Sequence, residues 1–563
     1  MTEPYRFSEL PYVPTDFTAA AARLKEYTEK IRAARSVEEV LAIDAECDAM
    51  IDDGAGYAAT LTYIRSSLDC TDEFYAEAAQ TEAMGLELLD QTPYLQALLD
   101  SPFLPELEEK FGPEYCPRLE RQVRLRSAGL ELLAKEQAMI NQYQQKKAMI
   151  KVPFRGETHS EAEMYALFDS PDRQTRIDAR KATFEAFLAQ KDDLAPMLLE
   201  LIDLRCQIAK ANGFDSYLDY ANVSYFRRGY GEAELTAFCE QVKTDLMPLL
   251  AQLREEQRRE LGVDKLMVYD LSVRFRDGNA VPIGGTAGLT EASQKMYDSL
   301  SPEFGKFFRA MIESESFSVD PSPNKIAGMG FCTVLRRGLL PFVFGNCNGT
   351  DTDVSVFTHE IGHAWQGYRT GQQNYPDIFR DMALDAVEIP SKTMELFAYP
   401  YAEGFFGADA EKFRQGHFRE ALREIAAYCS LHELNTWIYT HPGASFDEIA
   451  AAGAEIEKLY EPRLDYGELE PYILRGGALL RNLAVYGLPR YVISYALSEM
   501  CAMDLFARRA KDPAAAWDAY EKLCASGGSR SYPETLRQAG LSPAYAPGSV
   551  KKVADFAREY LKL

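Results

Sequence analysis

Residues 352–368, TDVSVFTHEIGHAWQGY, restrict the fold of this chain more than any other stretch. At 3.6 residues per turn they form a helix that is apolar on nearly every side, through Val354, Val356, Phe357, Ile361, Ala364 and Trp365. Such a helix belongs in a core, yet it carries His359, Glu360 and His363. Buried imidazoles and carboxylates need polar company. Residues four apart lie on one helix face, a single turn apart, so His359 and His363 can point two rings at one metal ion. Glu360 follows the first of them and turns a carboxylate toward the open metal position. This is the arrangement that an H-E-x-x-H motif uses as general base in metal-assisted hydrolysis. With only six histidines in the chain, a chance match is rare. Asp353 or Thr352 is the expected helix cap.

Two imidazoles do not complete a catalytic zinc site, which takes a third protein ligand and keeps one position for water. In the helix-like segment 381–399, Asp381, Asp385, Glu388, Lys392 and Glu395 recur at spacings of 4, 3, 4 and 3. They form one charged stripe, while Met382, Leu384, Val387, Ile389, Met394 and Phe397 fill the other faces. Glu388 is the preferred ligand, with Asp385 or Glu395 as the hydrogen-bond partner of a ligand histidine. Pattern alone does not separate the three acids.

Composition narrows the class. The chain is 47% hydrophobic and 26% charged, as in ordinary soluble globular proteins, and its length allows two to four domains. A net charge of -25 without a dense basic patch argues against nucleic acid as a partner. No apolar run is long enough to cross a bilayer, so no membrane partner is expected. The N-terminal residues lack the basic and apolar regions of a signal peptide. The ten cysteines are scattered, without a C-x-x-C pair, which reads as reduced thiols in the cytoplasm. Whether the protein is a monomer or a homodimer is not written in these patterns.

Most of the chain reads as helix: 15–52, 54–92, 117–150, a helix capped by Ser170 with Pro171 at its first position, 190–212, and 229–262 interrupted at Pro248. Residues 149–158 alternate as a strand or hairpin arm, and strands are expected near 330–336 and 340–345. One domain boundary is expected near residue 190.

HEIGHAW, followed by EIPSKTMEL, resembles the thimet-type zinc metallopeptidases, in particular their oligoendopeptidase F and Pz-peptidase branch. SPDRQTRIDARKATFEAF, AKANGFDSYLDYANV, PFVFGNCNGTDTDVSVFTHEIGHA and GGSRSYPETLRQAGL resemble segments of that branch in the same order, so the likeness spans nearly the whole chain. It implies a mainly α fold, a two-lobed helical ellipsoid with a deep substrate channel and a small β-sheet beside the zinc-binding helix. The lobes would be an N-terminal helical lobe, 1–190, and a catalytic zinc metallopeptidase domain, 191–563. It also implies one Zn2+ per chain held by His359, His363 and Glu388, with Glu360 as general base. The strand PFVFGNCNGT, with Phe344 and Gly345, would be the edge that holds the peptide backbone. Tyr486, Tyr491 and Tyr495 fall on family tyrosines that bind substrate, and Tyr491 or Tyr495 would donate to the oxyanion. Ala484 stands where the family usually has histidine. The expected activity is hydrolysis of internal bonds in short unfolded peptides. The alternatives are a peptidase restricted to chain termini and a peptide-binding protein with a vestigial metal site, which Ala484 alone favours.

Overall fold

The computed structural model describes residues 5–127, 130–326, 330–335, 340–373, 375–380, 382–461, 463 and 465–563. The fold is mainly α, with two small sheets among the described residues. The chain forms two compact units, each assembled from three segments. The first takes residues 1–126, 280–411 and 508–541, and the second takes 127–279, 412–507 and 542–563. This differs from a single boundary near 190, which falls inside the second unit. Each unit gathers segments distant in sequence, so no linker marks the division.

The long helical stretches break where local chemistry demands. Residues 15–52 divide into Phe17–Ala33, capped by the Asp16 carboxylate on Ala19 N, and Val37–Met50, capped by Ser36 on Glu39 N. The 229–262 stretch is interrupted by a π-helical turn, Val242–Leu246. Pro248 sits in the first turn of the helix that follows, where its missing N–H is harmless. Asp172, not Ser170, caps Arg173–Leu188 by accepting from Thr175 N. The helix thus starts after Asp172 rather than at Pro171.

In the second unit, β1 (Lys151–Phe154) and β2 (Glu157–Ser160) form an antiparallel hairpin in which Phe154 faces Glu157. Its turn places Arg155 and Gly156 at positive φ. In the first unit, β3 (Phe317–Ser318), β4 (Phe331–Val334) and β5 (Pro341–Phe344) form a three-stranded sheet in the order β3-β5-β4. β5 is parallel to β3 and antiparallel to β4. The expected strands near 330–336 and 340–345 are thus present, apart from residue 336, which lies outside the described residues.

Two helices of the first unit carry the candidate site: α1 (Thr352–Gly371) and α2 (Leu384–Phe397). α1 packs against α2 and against β4 and β5. Phe342 and Phe344 of β5 are buried with Phe7, Tyr57, Leu61, Ile64 and Leu335. Trp365 of α1 is fully buried, stacks on Phe304 at 4.4 Å, and donates its indole N–H to Glu521 at 2.8 Å. These contacts fix the rotation of α1 about its axis, and with it the direction of the two histidines.

Candidate metal centre

The N-cap position of α1 is Asp351, one residue before Thr352 and two before Asp353, the expected caps. The Asp353 carboxylate instead accepts from the backbone N–H groups of Asn348 and Gly349, tightening the turn that leads from β5 into α1. α1 and α2 are in tight contact at Gly362. A Cβ added there would lie 2.7 Å from Ser391 Cα and 2.8 Å from Pro390 O. Only glycine permits this separation, and the separation brings Glu388 to the histidines.

One ligand atom each from His359, His363 and Glu388 lies within 4.8 Å of the others, a set that could hold a metal ion. Glu388 Oε2 is 3.2 Å from His359 Nε2 and 3.1 Å from His363 Nε2. The rings are 4.8 Å apart and nearly perpendicular at 80°. His359 Nδ1 lies 2.7 Å from Glu395 Oε1, so that nitrogen donates, and once Nε2 gives up its proton its lone pair is the one that faces a metal. The Ser391 hydroxyl is 2.9 Å from Glu388 O and 3.0 Å from Glu388 Oε2. Lys392 Nζ is 3.4 Å from Glu395 Oε1. Two neutral-capable imidazoles and one carboxylate, with the unused ring nitrogen of His359 anchored, are a donor set that suits zinc.

Protonation follows from burial and pairing. Burial opposes charge on His359, but hydrogen bonds to Glu388 and Glu395 carry its pKa up to about 10 in the metal-free protein. Burial alone would raise Glu388; the charges and hydrogen bonds of His363 and His359 hold it well below the usual carboxylate range. Glu360 is raised, chiefly by burial, against the lowering effect of both histidines.

The stripe on α2 is thus sorted. Glu388 faces both imidazoles, Glu395 takes His359, and Asp385 is fully buried one turn before Glu388. Asp381 lies outside the described residues.

Two substrate-binding expectations are corrected. β5 is the central strand of its sheet, not an edge. Gly345 N donates to Ser318 O at 2.9 Å, and its carbonyl accepts from Lys325 Nζ at 3.1 Å. Phe344 is fully buried. Neither residue offers a peptide a free backbone edge. Among the described residues β4 is the outer strand on the other side, and it runs beside Glu360: a Cβ on Gly330 would lie 3.4 Å from Glu360 Oε1. Tyr486 is also not available to substrate. It is fully buried, stacked on Tyr143 at 3.9 Å, and donates its hydroxyl to Leu194 O at 3.0 Å.

Tyr491 and Tyr495 belong to the second unit, where they are half-buried and 5.6 Å apart, within a group that includes Tyr225 and Tyr428. Ala484 lies in the same unit on the short helix Leu483–Tyr486. Sequence patterns offered β4 as a strand but not as the outer one beside Glu360, and did not offer Ser391 as a partner of Glu388. The signal for Ser391 was its place three residues after Glu388, on the same helix face.

A mainly helical chain with a His–His–Glu cluster carried on two crossed helices is the class that fold and site define. Residues 166–552 match Peptidase family M3 and residues 7–125 match the Peptidase M3 N-terminal domain. The chain belongs to peptidase family M3. Among solved structures it is similar to a protein provisionally described as oligoendopeptidase F, at 33% identity and TM-score 0.90, with 99% of each chain covered. It is similar in the same measure to Pz peptidase A solved with an inhibitor, at 31% identity, TM-score 0.90 and 99% coverage of each chain. A third relative, a provisionally described oligoendopeptidase F from Bacillus anthracis str. Ames, is 28% identical with TM-score 0.87, covering 100% of this chain and 99% of its own. No curated protein matches the chain. No helix among the described residues is long and apolar enough to cross a membrane.

Proposed function

We propose that the chain is a zinc-dependent endopeptidase that hydrolyses internal bonds of short, unfolded oligopeptides. The observation that carries this reading is the convergence of His359, His363 and Glu388 within 4.8 Å, with the buried Glu360 between the two histidines on α1. His359, His363 and Glu388 would hold one zinc ion. When bound, zinc supplies a water that is acidic near neutral pH and a Lewis acid for the scissile carbonyl. Glu360 takes the proton from the attacking water and returns it to the leaving amine; its burial makes it a stronger base than an exposed carboxylate. The outer strand β4, beside Glu360, would hold the peptide backbone by strand addition. Tyr491 or Tyr495 would donate to the oxyanion. The location we propose is the cytoplasm, where ten free thiols stay reduced.

Ala484 supports a second reading. If the histidine usual at this place is a donor to substrate, its loss costs about 10²–10³ in rate, and the chain would hold peptides more than cut them.

The test is incubation with unstructured peptides of graded length, read by mass spectrometry, with and without chelator, with zinc restored, and with Glu360→Gln. Internal cleavage that stops with chelator, returns with zinc and is lost in the variant supports the first reading. A zinc-loaded protein that cleaves nothing would favour the second. Release of terminal fragments alone would make it an exopeptidase.

A further inference from the structure

Lys392 belongs to the charged stripe of α2 but has no role in the site as described above. It is a lysine with a side chain only 12% exposed, and its ammonium lies 3.4 Å from Glu395 Oε1. The same oxygen, on a carboxylate 6% exposed, is 2.7 Å from His359 Nδ1. Lysine is rarely buried without a partner, because removing its charge from water is costly. Here it meets an oxygen that already serves a metal-ligand ring.

We propose that Lys392 is a positioning and tuning residue that acts through Glu395 to limit how strongly His359 donates to the metal. A carboxylate that accepts from the far nitrogen of a ligand imidazole raises the basicity of that ligand. An ammonium on the same oxygen draws charge back, so the ring donates less. The region is rich in acids: Glu360, Asp385, Glu388 and Glu395 are all buried there. Left unopposed, they would hold a dication tightly and quench the electrophilicity that polarises a carbonyl. Lys392 therefore exchanges some metal affinity for reactivity.

The inference rests on the zinc-centre reading and has a signature that loss of structure does not give. In Lys392→Met, zinc should bind about tenfold more tightly while kcat on a short peptide falls by a similar factor, the scale of effect seen for partners of metal-ligating histidines. A damaged site would lose on both counts. Zinc dissociation constants would be measured by competition with a chromophoric chelator on metal-free protein, for wild type, Lys392→Met, Lys392→Gln, Lys392→Arg and His359→Ala. The Gln variant serves if the Met variant does not fold. Lys392→Arg, which keeps the charge, should return both quantities toward wild type. Unchanged or weaker zinc binding in both neutral variants overturns the role of Lys392 and leaves the metal centre standing. If wild type binds no zinc, or His359→Ala binds it equally well, the metal centre itself is wrong and the inference falls with it.

Discussion

Gly362→Ala is the most informative single change, because two physical effects predict opposite signs. Alanine is the better helix former, by about 1 kcal/mol in an exposed helix. In this helix, however, the new Cβ would lie 2.7 Å from Ser391 Cα, 2.8 Å from Pro390 O and 3.1 Å from Ser391 N, where ordinary contact starts at 3.4 Å. Every one of these is a backbone atom, so no side chain can turn aside. Relief requires α1 and α2 to separate by about 0.7 Å, the difference between 3.4 and 2.7 Å. Overpacking of this kind costs about 1–3 kcal/mol, which matches or exceeds the propensity gain. The larger effect falls on the metal. Glu388 reaches the two imidazoles across this crossing, and metal–ligand distances tolerate only about 0.2 Å. A shift of several times that tolerance should weaken zinc binding at least about 100-fold. Zinc competition titrations and thermal melts of the metal-free protein read the two effects separately. A variant that binds zinc as wild type does, or that melts higher, would refute the argument that this glycine sets the position of Glu388.

Other changes separate the roles assigned above. Glu360→Gln should keep zinc and fold while losing turnover by about 10³-fold or more, read as kcat beside metal content. Because His359 is protonated up to about pH 10 in the metal-free protein and must be neutral to ligate, zinc binding at pH 7.5 should release about one proton. Apparent affinity should then rise with pH until about 10, and calorimetry in buffers of different ionisation enthalpy measures the release. Tyr486→Phe should cost about 1 kcal/mol of stability, for the lost bond to Leu194 O, and leave turnover unchanged. Of Tyr491→Phe and Tyr495→Phe, the one that removes the oxyanion donor should instead lower kcat by about 10²–10³.

The sequence carried the metal motif because helical spacing is a local property: His359 and His363 are four apart whatever surrounds them. It carried the acid stripe for the same reason and could not sort it for the same reason. Asp385, Glu388 and Glu395 share one face, and the choice between them depends on where α1 crosses α2, a tertiary fact fixed at Gly362 and Ser391. The peptide edge was misplaced because β3 spans two residues, too few to leave an alternating pattern, yet it closes one side of β5. Tyr486 looked like its neighbours in sequence; its stacking on Tyr143 comes from a segment more than three hundred residues away. The division at 190 failed because each unit is discontinuous in sequence, so composition along the chain has no step to show. The interruption of 229–262 was expected at Pro248 and lies instead at Val242–Leu246, where VKTDL holds no glycine or proline to mark it, whereas the one at Ile51–Gly56 falls at IDDGAG, where 15–52 and 54–92 were already read as separate.

The most direct test of the account is to strip the protein of metal and add zinc back in fractions of an equivalent while following cleavage of one short peptide. The account predicts that activity rises linearly and breaks at one equivalent per chain, and that His359→Ala shows no recovery at the same zinc levels. Activity that survives complete metal removal, or that returns equally in His359→Ala, would contradict the claim that His359, His363 and Glu388 hold the ion on which hydrolysis depends.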